Sequence, residues 1–336
     1  HPEVLRDVRV GDRILLDDGL LELAVAEVGG DQVRAQVVTG GILGSRKGLS
    51  LPHTSLRLPS ITDKDREDAS FALEQQVDYL ALSFVRCDDD VRYLRAWLAE
   101  QGGDIPIIAK IEKPEALDCI DEILAVSDGL MVARGDLGVE APAEEVPMAQ
   151  KRIIRACNAA GKPVITATQM LESMIRNPRP TRAEASDVAN AILDGSDAIM
   201  LSGETAVGRY PVQAVQTMAR IAQVTERSMP YADWLQRAFQ AASRTVTEAI
   251  SQTACEIASE LGARLIIAST LSGSTARRVA SHRPSTPIIA PTPSPKTYRQ
   301  LALVWGVEPL WVEQFATTDA MILTVVEAVR DRGLVE

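Results

Sequence analysis

The sequence predicts an α/β protein whose central part is an incomplete TIM (β/α)8 barrel, with about five of the eight units present. Short apolar segments between residues 79 and 201 alternate with helical patterns, which is typical of a parallel sheet with helical crossovers. Lys, Glu, Asp, Thr and Ser residues follow the ends of successive segments. An open doubly wound sheet gives the same alternation, but a barrel is the fold that assembles its site from many strand ends.

Residues 1–55 are expected to be the remaining part of a small β-rich lid domain. Turn sequences such as Asp17-Asp18-Gly19 and Gly29-Gly30 separate segments of high strand propensity. The strands are predicted at 13–16, 20–28 and 32–38. This part of the sequence therefore predicts a small antiparallel sheet.

Residues 56–228 are expected to be the C-terminal part of the barrel. Its strands are predicted at 79–84, 105–111, 129–133, 163–167 and 197–201. Its helices are predicted at 64–75, 89–100, 116–125, 144–160 and 183–193. Thr181 and Glu184 form a capping box, and Gly161 and Gly195 end helices where a left-handed residue is needed. Because a closed barrel needs eight strands, we expect the missing units to lie upstream of His1.

Residues 229–336 predict a second α/β domain, which the family resemblance given below implies is a truncated C-terminal three-layer domain that binds an effector. A helix is predicted at 244–261 and strands at 265–269, 288–290 and near 310–312, with further helices between the strands. A loop rich in hydroxyl groups joins the first strand to a helix, and its candidate binding residues are Ser269, Thr270, Ser272, Gly273, Ser274 and Thr275. Such a loop fits an anion site, although an ordinary serine-rich helix start has the same composition.

The composition excludes some partners and favours others. The net charge is −11, and no basic stripe is available to neutralise phosphates, so nucleic acid is not an expected partner. No apolar run approaches the length of a membrane span, so no membrane partner is expected. The four cysteines form no Cys-x-x-Cys pair and are expected to be free thiols in a reducing compartment, which predicts a cytoplasmic protein.

Three charged residues at the ends of neighbouring predicted strands form the strongest candidate site. Lys110 and Glu112 are two residues apart on a strand, so both side chains are expected to face the barrel mouth. A structural ion pair would have the same spacing. Asp136 follows Gly135, where a residue without a side chain lets backbone N–H groups approach an anion. Two carboxylates with water and substrate oxygens suit Mg²⁺ or Mn²⁺.

Hydroxyl groups follow the next two predicted strands. Thr168 comes after strand 163–167 and Ser202 after strand 197–201. Each can position an oxyanion or relay a proton, although each alone also fits a helix cap. Lys47, at the exit of the β-rich segment, fits either a solvated turn or a contact with a nucleotide phosphate.

Taken together, these residues resemble the pyruvate kinase family. The resemblance follows the chain in order over essentially its whole length, and several of its motifs are specific to that family. The matching motifs include Ser83 to Arg86, Ile108 to Glu112, Met131 to Glu140, Ile165 to Met174, Asn177 to Glu184 and Ile199 to Ala206.

The resemblance implies an enzyme of the last step of glycolysis, which transfers the phosphoryl group of phosphoenolpyruvate to ADP and gives pyruvate and ATP. It implies that Glu112 and Asp136 bind the divalent cation and that Lys110 stabilises the transferring phosphoryl group. It also implies that Gly135, Asp136 and Thr168 contact phosphoenolpyruvate. This assignment agrees with phosphoryl transfer, which depends on positioning and charge neutralisation.

Further roles follow from the same resemblance. Ser202 corresponds to a residue that can take part in proton delivery to enolpyruvate, and Lys47 to a nucleotide-phosphate contact. The C-terminal Ser/Thr loop corresponds to the allosteric site for a sugar phosphate or an AMP-type effector. A homotetramer is implied for the full-length protein.

The chain also departs from the family pattern. Roughly three strand–helix units open the family barrel, and they contain an Arg that binds phosphate and the ligands of an activating K⁺. We expect these ligands upstream of His1, so the chain is interpreted as an internal fragment that is inactive alone and prone to associate through unpaired strand edges. Ser50 stands where the family usually has Asn.

Two rival functions remain open from the sequence. A Mg²⁺-dependent barrel lyase acting on phosphoenolpyruvate or pyruvate would also place Glu and Asp at strand ends, but it needs neither the inserted lid nor the Ser-rich loop. A non-catalytic regulatory protein would retain only effector binding. The intact set of Lys110, Glu112, Asp136 and Thr168 argues against that second alternative.

Overall fold

The computed structural model describes residues 7–30, 32–45, 47–52, 54, 60–240, 245–314 and 317–335, without the side chains of 236–240 and 318. The chain forms two compact units, which are residues 1–153 with 166–169 and residues 154–165 with 170–336. The domain boundaries expected near residues 55 and 228 stay predictions. Residues 56–59 and 244, which begin a predicted domain and a predicted helix, lie outside the described residues.

The first unit starts with an antiparallel sheet, as the sequence predicts. Its strands are β1 (Arg13–Leu16), β2 (Leu21–Gly29), β3 (Gln32–Thr39) and β4 (Leu49–Ser50), in the order β3-β2-β1-β4. The Asp17-Asp18-Gly19 turn takes left-handed φ angles of 52°, 55° and 84°, which suit Asp and Gly better than other residues. Ile14 of β1 and Val25 of β2 are buried in one apolar cluster with Val8 and Leu51.

The rest of the first unit alternates strands and helices. Its elements are α1 (Asp63–Glu74), β5 (Leu80–Leu82), α2 (Asp88–Glu100), β6 (Ile107–Ile111), α3 (Pro114–Asp118), α4 (Ile120–Val126), β7 (Gly129–Ala133), α5 (Arg134–Glu140) and α6 (Val146–Ala160), whose last turns belong to the second unit. The predicted helix 116–125 is wrong in one respect, because Cys119 has a non-helical φ of −112° and divides it into α3 and α4.

The second unit continues the same alternation. It contains β8 (Val164–Ala167), a 3₁₀ turn (Glu172–Ile175), α7 (Arg182–Leu193), β9 (Ala198–Met200), α8 (Gly203–Ala206), α9 (Pro211–Arg227) and α10 (Tyr231–Gln240). The sheet order is β5-β6-β7-β8-β9, and β5, β6 and β7 pair in parallel. Thr181 and Glu184 form the predicted capping box, and Gly161 and Gly195 have φ angles of 66° and 103° after helices. This is the expected incomplete α/β barrel.

The C-terminal region has three layers, as the sequence predicts. Its elements are α11 (Val246–Glu260), β10 (Ile266–Ile267), α12 (Ser274–Ser281), β11 (Ile288–Thr292), α13 (Pro295–Leu301), β12 (Val307–Trp311) and α14 (Thr318–Asp331). The strands form a parallel sheet in the order β10-β11-β12. Ile288 and Ala290 pack with α11, α12 and α13, whereas Ile289 packs with α14. Alternate residues of β11 therefore face helices on opposite sides of the sheet.

A buried ion pair lies inside the second unit. The Arg283 guanidinium donates to both carboxylate oxygens of Asp197 over 3.0 and 3.1 Å, and these two side chains are only 5 and 6% exposed. The same guanidinium donates to Asn158 Oδ1 over 2.7 Å and to the Gly195 carbonyl over 2.6 Å. It also lies 5.1 Å from the ring centre of Trp305. This pair joins the segment before β9 to the segment after α12.

Candidate active site

The end of β6 places a lysine and a glutamate in direct contact. Lys110 Nζ lies 2.6 Å from Glu112 Oε1, as expected for residues two apart on one strand face. The Glu112 side chain is 1% exposed, whereas the Lys110 side chain is 23% exposed. The carboxylate is thus held inside the protein while the ammonium group reaches the surface of the site. This contact agrees both with the predicted site and with the simpler alternative of a structural ion pair.

The turn after β5 holds both of these side chains. Lys110 Nζ donates to Ser83 Oγ over 2.8 Å, and the Phe84 N–H donates to Glu112 Oε2 over 2.6 Å. Phe84 has a φ of 56°, which is unusual for a residue with a large side chain. The register pairs Leu82 with Ala109, so the residues after the two strands meet at one edge of the sheet. Sequence reasoning gave Ser83 and Phe84 no role, although their position directly after a strand is a usable signal.

The end of β7 leads directly into helix α5, which includes Gly135 and Asp136. Strand pairing sets Ile111 beside Val132, so the residues that follow β6 and β7 also emerge at one edge. The Asp136 carboxylate is half-buried in the first turn of α5, where the helix dipole favours negative charge. It has no hydrogen bond or ion pair with any residue in the described part of the chain. A ligand or a cation can therefore use both of its oxygens.

Thr168, after β8, contacts Gly135 directly. The Gly135 N–H donates to Thr168 Oγ1 over 2.7 Å, and that hydroxyl donates to the Ala167 carbonyl over 2.7 Å. A Cβ atom at position 135 would lie 3.1 Å from Thr168 Oγ1, so a residue without a side chain fits best there. The alternative that Thr168 caps a helix is not what the structure describes, because its hydroxyl bonds to the backbone of β8 and α5.

Ser202 lies at the start of α8 in the second unit, without a capping hydrogen bond from its own side chain. Its N–H donates to Glu204 Oε2 over 2.8 Å, and the Leu171 N–H donates to Glu204 Oε1 over 2.9 Å. Glu204 is fully buried. Its carboxylate therefore fixes the segments after β8 and β9 relative to each other, a role that was not predicted from the sequence.

Lys47 forms an exposed ion pair. Its Nζ lies 2.8 Å from Asp17 Oδ1, and the hydrogen bond from this ammonium to Asp17 raises the pKa of Lys47. Nothing else in the described residues distinguishes it from a solvated turn residue. Its assignment to a nucleotide phosphate stays a prediction.

The C-terminal Ser/Thr loop has the backbone geometry of a helix start. Gly273 has a φ of 83° at the N-cap of α12, and its N–H donates to Thr270 Oγ1 over 2.9 Å. Ser272 Oγ donates to Ser274 Oγ over 3.1 Å, and Arg277 donates to the Ser272 carbonyl over 3.2 Å. The hydroxyl groups are thus partly used within the loop. Ser269 is half-buried and Thr275 is exposed, and effector binding by this loop stays a prediction.

The donor set at the barrel strand ends fits Mg²⁺ in kind. No group of three or more His, Cys, Asp and Glu side chains that could hold a metal is found in the described residues. Mg²⁺ does not need one, because it is usually bound by one or two carboxylates together with water and substrate phosphates. Glu112 and Asp136 are two such hard oxygen donors, and Asp136 is available. None of the helices described is long and apolar enough to cross a bilayer.

Comparison with known proteins gives a consistent result over the whole chain. Residues 1–215 match the family described as pyruvate kinase, barrel domain, and residues 248–336 match pyruvate kinase, alpha/beta domain. A pyruvate kinase of Clostridium acetobutylicum is 49% identical over 337 residues, which cover 100% of this chain and 71% of the relative. A pyruvate kinase of Geobacillus stearothermophilus is 51% identical over 341 residues, which cover 100% of this chain and 58% of the relative.

A solved structure agrees with the sequence relatives. The crystal structure of a pyruvate kinase from Cryptosporidium parvum matches with a TM-score of 0.92 and 42% identity, covering 99% of this chain and 69% of that one. Both the expected fold class and the resemblance found in the sequence are thereby confirmed. The chain belongs to the pyruvate kinase family.

Proposed function

We propose that the full-length protein transfers the phosphoryl group of phosphoenolpyruvate to ADP, giving pyruvate and ATP. The observation that supports this proposal most directly is the contact of Lys110 with Glu112 at the edge where β5, β6 and β7 end. A cation and a buried carboxylate at that edge, with Asp136 available in the helix that follows the next strand, suit a reaction that depends on neutralising phosphate charge.

Each candidate site residue of the first unit has a distinct part in this proposal. Lys110, held between Ser83 and Glu112, points a fixed positive charge at the phosphoryl oxygens. Glu112 and Asp136 would hold Mg²⁺ or Mn²⁺, which when bound neutralises and orients the phosphate groups. Gly135, Asp136 and Thr168 contact phosphoenolpyruvate, and the absence of a side chain at position 135 gives the ligand room to approach.

Other residues complete the proposal. Ser202, whose N–H is bonded to buried Glu204, takes part in proton delivery to enolpyruvate. Lys47 contacts the nucleotide phosphate, and the loop from Ser269 to Thr275 binds a sugar phosphate or an AMP-type effector. The full-length protein is proposed to be a K⁺-activated homotetramer. A cytoplasmic location fits the free thiols, of which Cys157 and Cys255 are buried.

The proposal is tested by the products formed. The full-length protein with Mg²⁺, K⁺, ADP and phosphoenolpyruvate should release pyruvate only when ADP is present. Pyruvate-dependent cleavage or formation of a carbon–carbon bond, without ADP, would instead identify the barrel lyase. The 336-residue chain alone is expected to be inactive in the same assay, and normal turnover by it would contradict the fragment interpretation.

A substitution tests the role of Lys110. Lys110→Met in the full-length protein should lower kcat by about a thousandfold or more, because the charge on the transferring group is no longer neutralised. Mg²⁺ binding, measured by calorimetry, should persist because both carboxylates remain. Lys64→Met removes an exposed lysine that pairs only with neighbouring helix residues such as Asp68, and it should leave kcat unchanged. A Lys110→Met enzyme with near-normal turnover would remove the role given to this residue.

A further inference from the structure

The turn that contains Thr168 has an unusual backbone. Thr168 and Gln169 have φ angles of 67° and 54°, and both have side chains, so two successive residues occupy the left-handed region that glycine prefers. Such a conformation persists only where surrounding contacts maintain it. The contacts that maintain this turn therefore determine where the Thr168 hydroxyl lies.

One guanidinium contacts both carbonyls of this turn. Arg134 Nη2 donates to the Thr168 carbonyl over 2.9 Å and lies 3.4 Å from the Gln169 carbonyl. Arg134 Nη1 lies 3.4 Å from Oε1 of buried Gln150, on helix α6. The planar guanidinium has several donors in a fixed arrangement, which allows one side chain to reach several acceptors. Arg134 thus connects α6 with both carbonyls of the strained turn.

The neighbouring residue completes the connection. Gly135 donates its N–H to Thr168 Oγ1, so the Arg134-Gly135 dipeptide bonds to both the backbone and the hydroxyl of Thr168. Because Asp136 follows directly in the same helical turn, a shift of this dipeptide would move the candidate metal ligand and the candidate substrate contacts together.

We propose that Arg134 is a positioning residue for phosphoenolpyruvate, a role that rests on the proposed function. Its guanidinium maintains the left-handed conformation of Thr168 and Gln169, and it thereby presents the Thr168 hydroxyl beside the Gly135 N–H. The hydrogen bonds that reach the turn end on neutral carbonyl oxygens, so we expect the position of Thr168 to depend on their geometry.

Two substitutions separate geometry from charge in the full-length protein. Arg134→Met removes the donors, and Arg134→Lys keeps the charge but replaces the planar fork by a single ammonium group. All three residues have similar helix propensities, so α5 is not directly weakened. Arg92→Met is the matched control, because Arg92 is an exposed helix residue that pairs with Asp88 and has no contact with the turn.

The kinetic result should distinguish the two substrates. Arg134→Met should raise the KM for phosphoenolpyruvate about tenfold or more, with less than about a threefold change in the KM for ADP. Arg134→Lys should recover only part of this loss. Full recovery by Lys would show that charge is what matters, and equal effects on both substrates would indicate general damage to the fold; either result overturns the proposal. A wild-type protein without ADP-dependent pyruvate release would refute the proposed function instead.

A second measurement does not depend on turnover. In the 336-residue chain, amide hydrogen exchange of the peptide around residues 166–171 should be at least about tenfold faster in Arg134→Met than in the parent chain. Exchange in the β1–β4 sheet should be unchanged, which shows that the variant is folded. Unchanged exchange around residues 166–171 would mean that Arg134 does not maintain the turn.

Discussion

Replacement of Arg283 by methionine should strongly destabilise the second unit. Arg283→Met preserves much of the apolar length of the side chain but removes the guanidinium hydrogen bonds to Asp197, Asn158 and the Gly195 carbonyl. Asp197 would then be a buried carboxylate without its counter-charge, and removal of one partner from such a pair typically costs about 3–5 kcal/mol. Asp197 would keep hydrogen bonds from the N–H groups of Val164 and Trp305, over 3.0 and 3.2 Å. We therefore expect a loss near the lower limit, about 3 kcal/mol.

Urea unfolding of the 336-residue chain measures this loss. Tryptophan fluorescence reports mainly on the second unit, which contains Trp234, Trp305 and Trp311. A loss of about 3 kcal/mol should lower the urea midpoint by about 1 M or more. Arg332→Met is the control, because Arg332 and Glu308 form an exposed pair with a separation of 3.8 Å, and its loss should cost at most about 1 kcal/mol.

A double substitution tests the stated cause. Asp197→Asn removes the buried charge and keeps one side-chain oxygen. That oxygen can accept from Val164 or from Trp305 but not from both, because the two N–H groups donate to different carboxylate oxygens. Because no uncompensated charge remains buried, the double variant with Arg283→Met should be more stable than Arg283→Met alone. The stability of Asp197→Asn alone completes the double-mutant cycle, from which the coupling energy of the pair follows. A loss below about 1 kcal/mol for Arg283→Met, or a double variant that is no more stable, would refute the reasoning from a buried, uncompensated carboxylate.

Two further predictions concern titratable groups in the second unit. Burial raises the pKa of the Cys255 thiol to about 12, so at pH 8 only about one molecule in 10⁴ has the thiolate. Mass spectrometry after treatment with a thiol reagent should therefore find Cys255 labelled only in the unfolded chain. Rapid labelling of the native chain would contradict this prediction. Burial raises the pKa of Glu184, but hydrogen bonds from Ser173 and Thr181 outweigh burial and leave the pKa below its ordinary value. The stabilisation by Glu184 should therefore be complete above about pH 4.3 and be lost as the pH falls through the folded-state pKa. The difference in Tm between the parent chain and Glu184→Gln should shrink on acidification. A Tm difference that stays constant with pH would refute this prediction.

Much of the fold could be predicted because the relevant signals are local. Strand periodicity places Lys110 and Glu112 on one face, and a capping sequence begins α7 at the expected residue. The beginning of β12 was harder to predict. The strand was predicted near residues 310–312, whereas β12 spans Val307–Trp311 and includes Pro309. An edge strand tolerates a proline whose missing N–H is not needed for pairing.

The parts of the site that could not be predicted depend on non-local contacts. Nothing in the local sequence requires a left-handed backbone at Thr168, because residues with side chains rarely adopt it. The hydrogen bonds from Arg134 and Gly135 to Thr168 come from a different strand–helix unit. The contact of Ser83 with Lys110 likewise joins residues from two strands whose register must be known first. Sequence periodicity identifies residues that lie on the same face of one strand or helix, but it does not identify residues that contact each other from different strands or helices.

The Phe84 N–H that holds Glu112 has a consequence for protein engineering. A hydrogen bond from a backbone N–H does not require a particular side chain, and Phe84 is itself 55% exposed. Asparagine or glycine, which readily adopt a φ near 56°, should preserve the same donor. The side chain at position 84 can therefore be changed while the backbone N–H continues to donate to the buried Glu112 carboxylate.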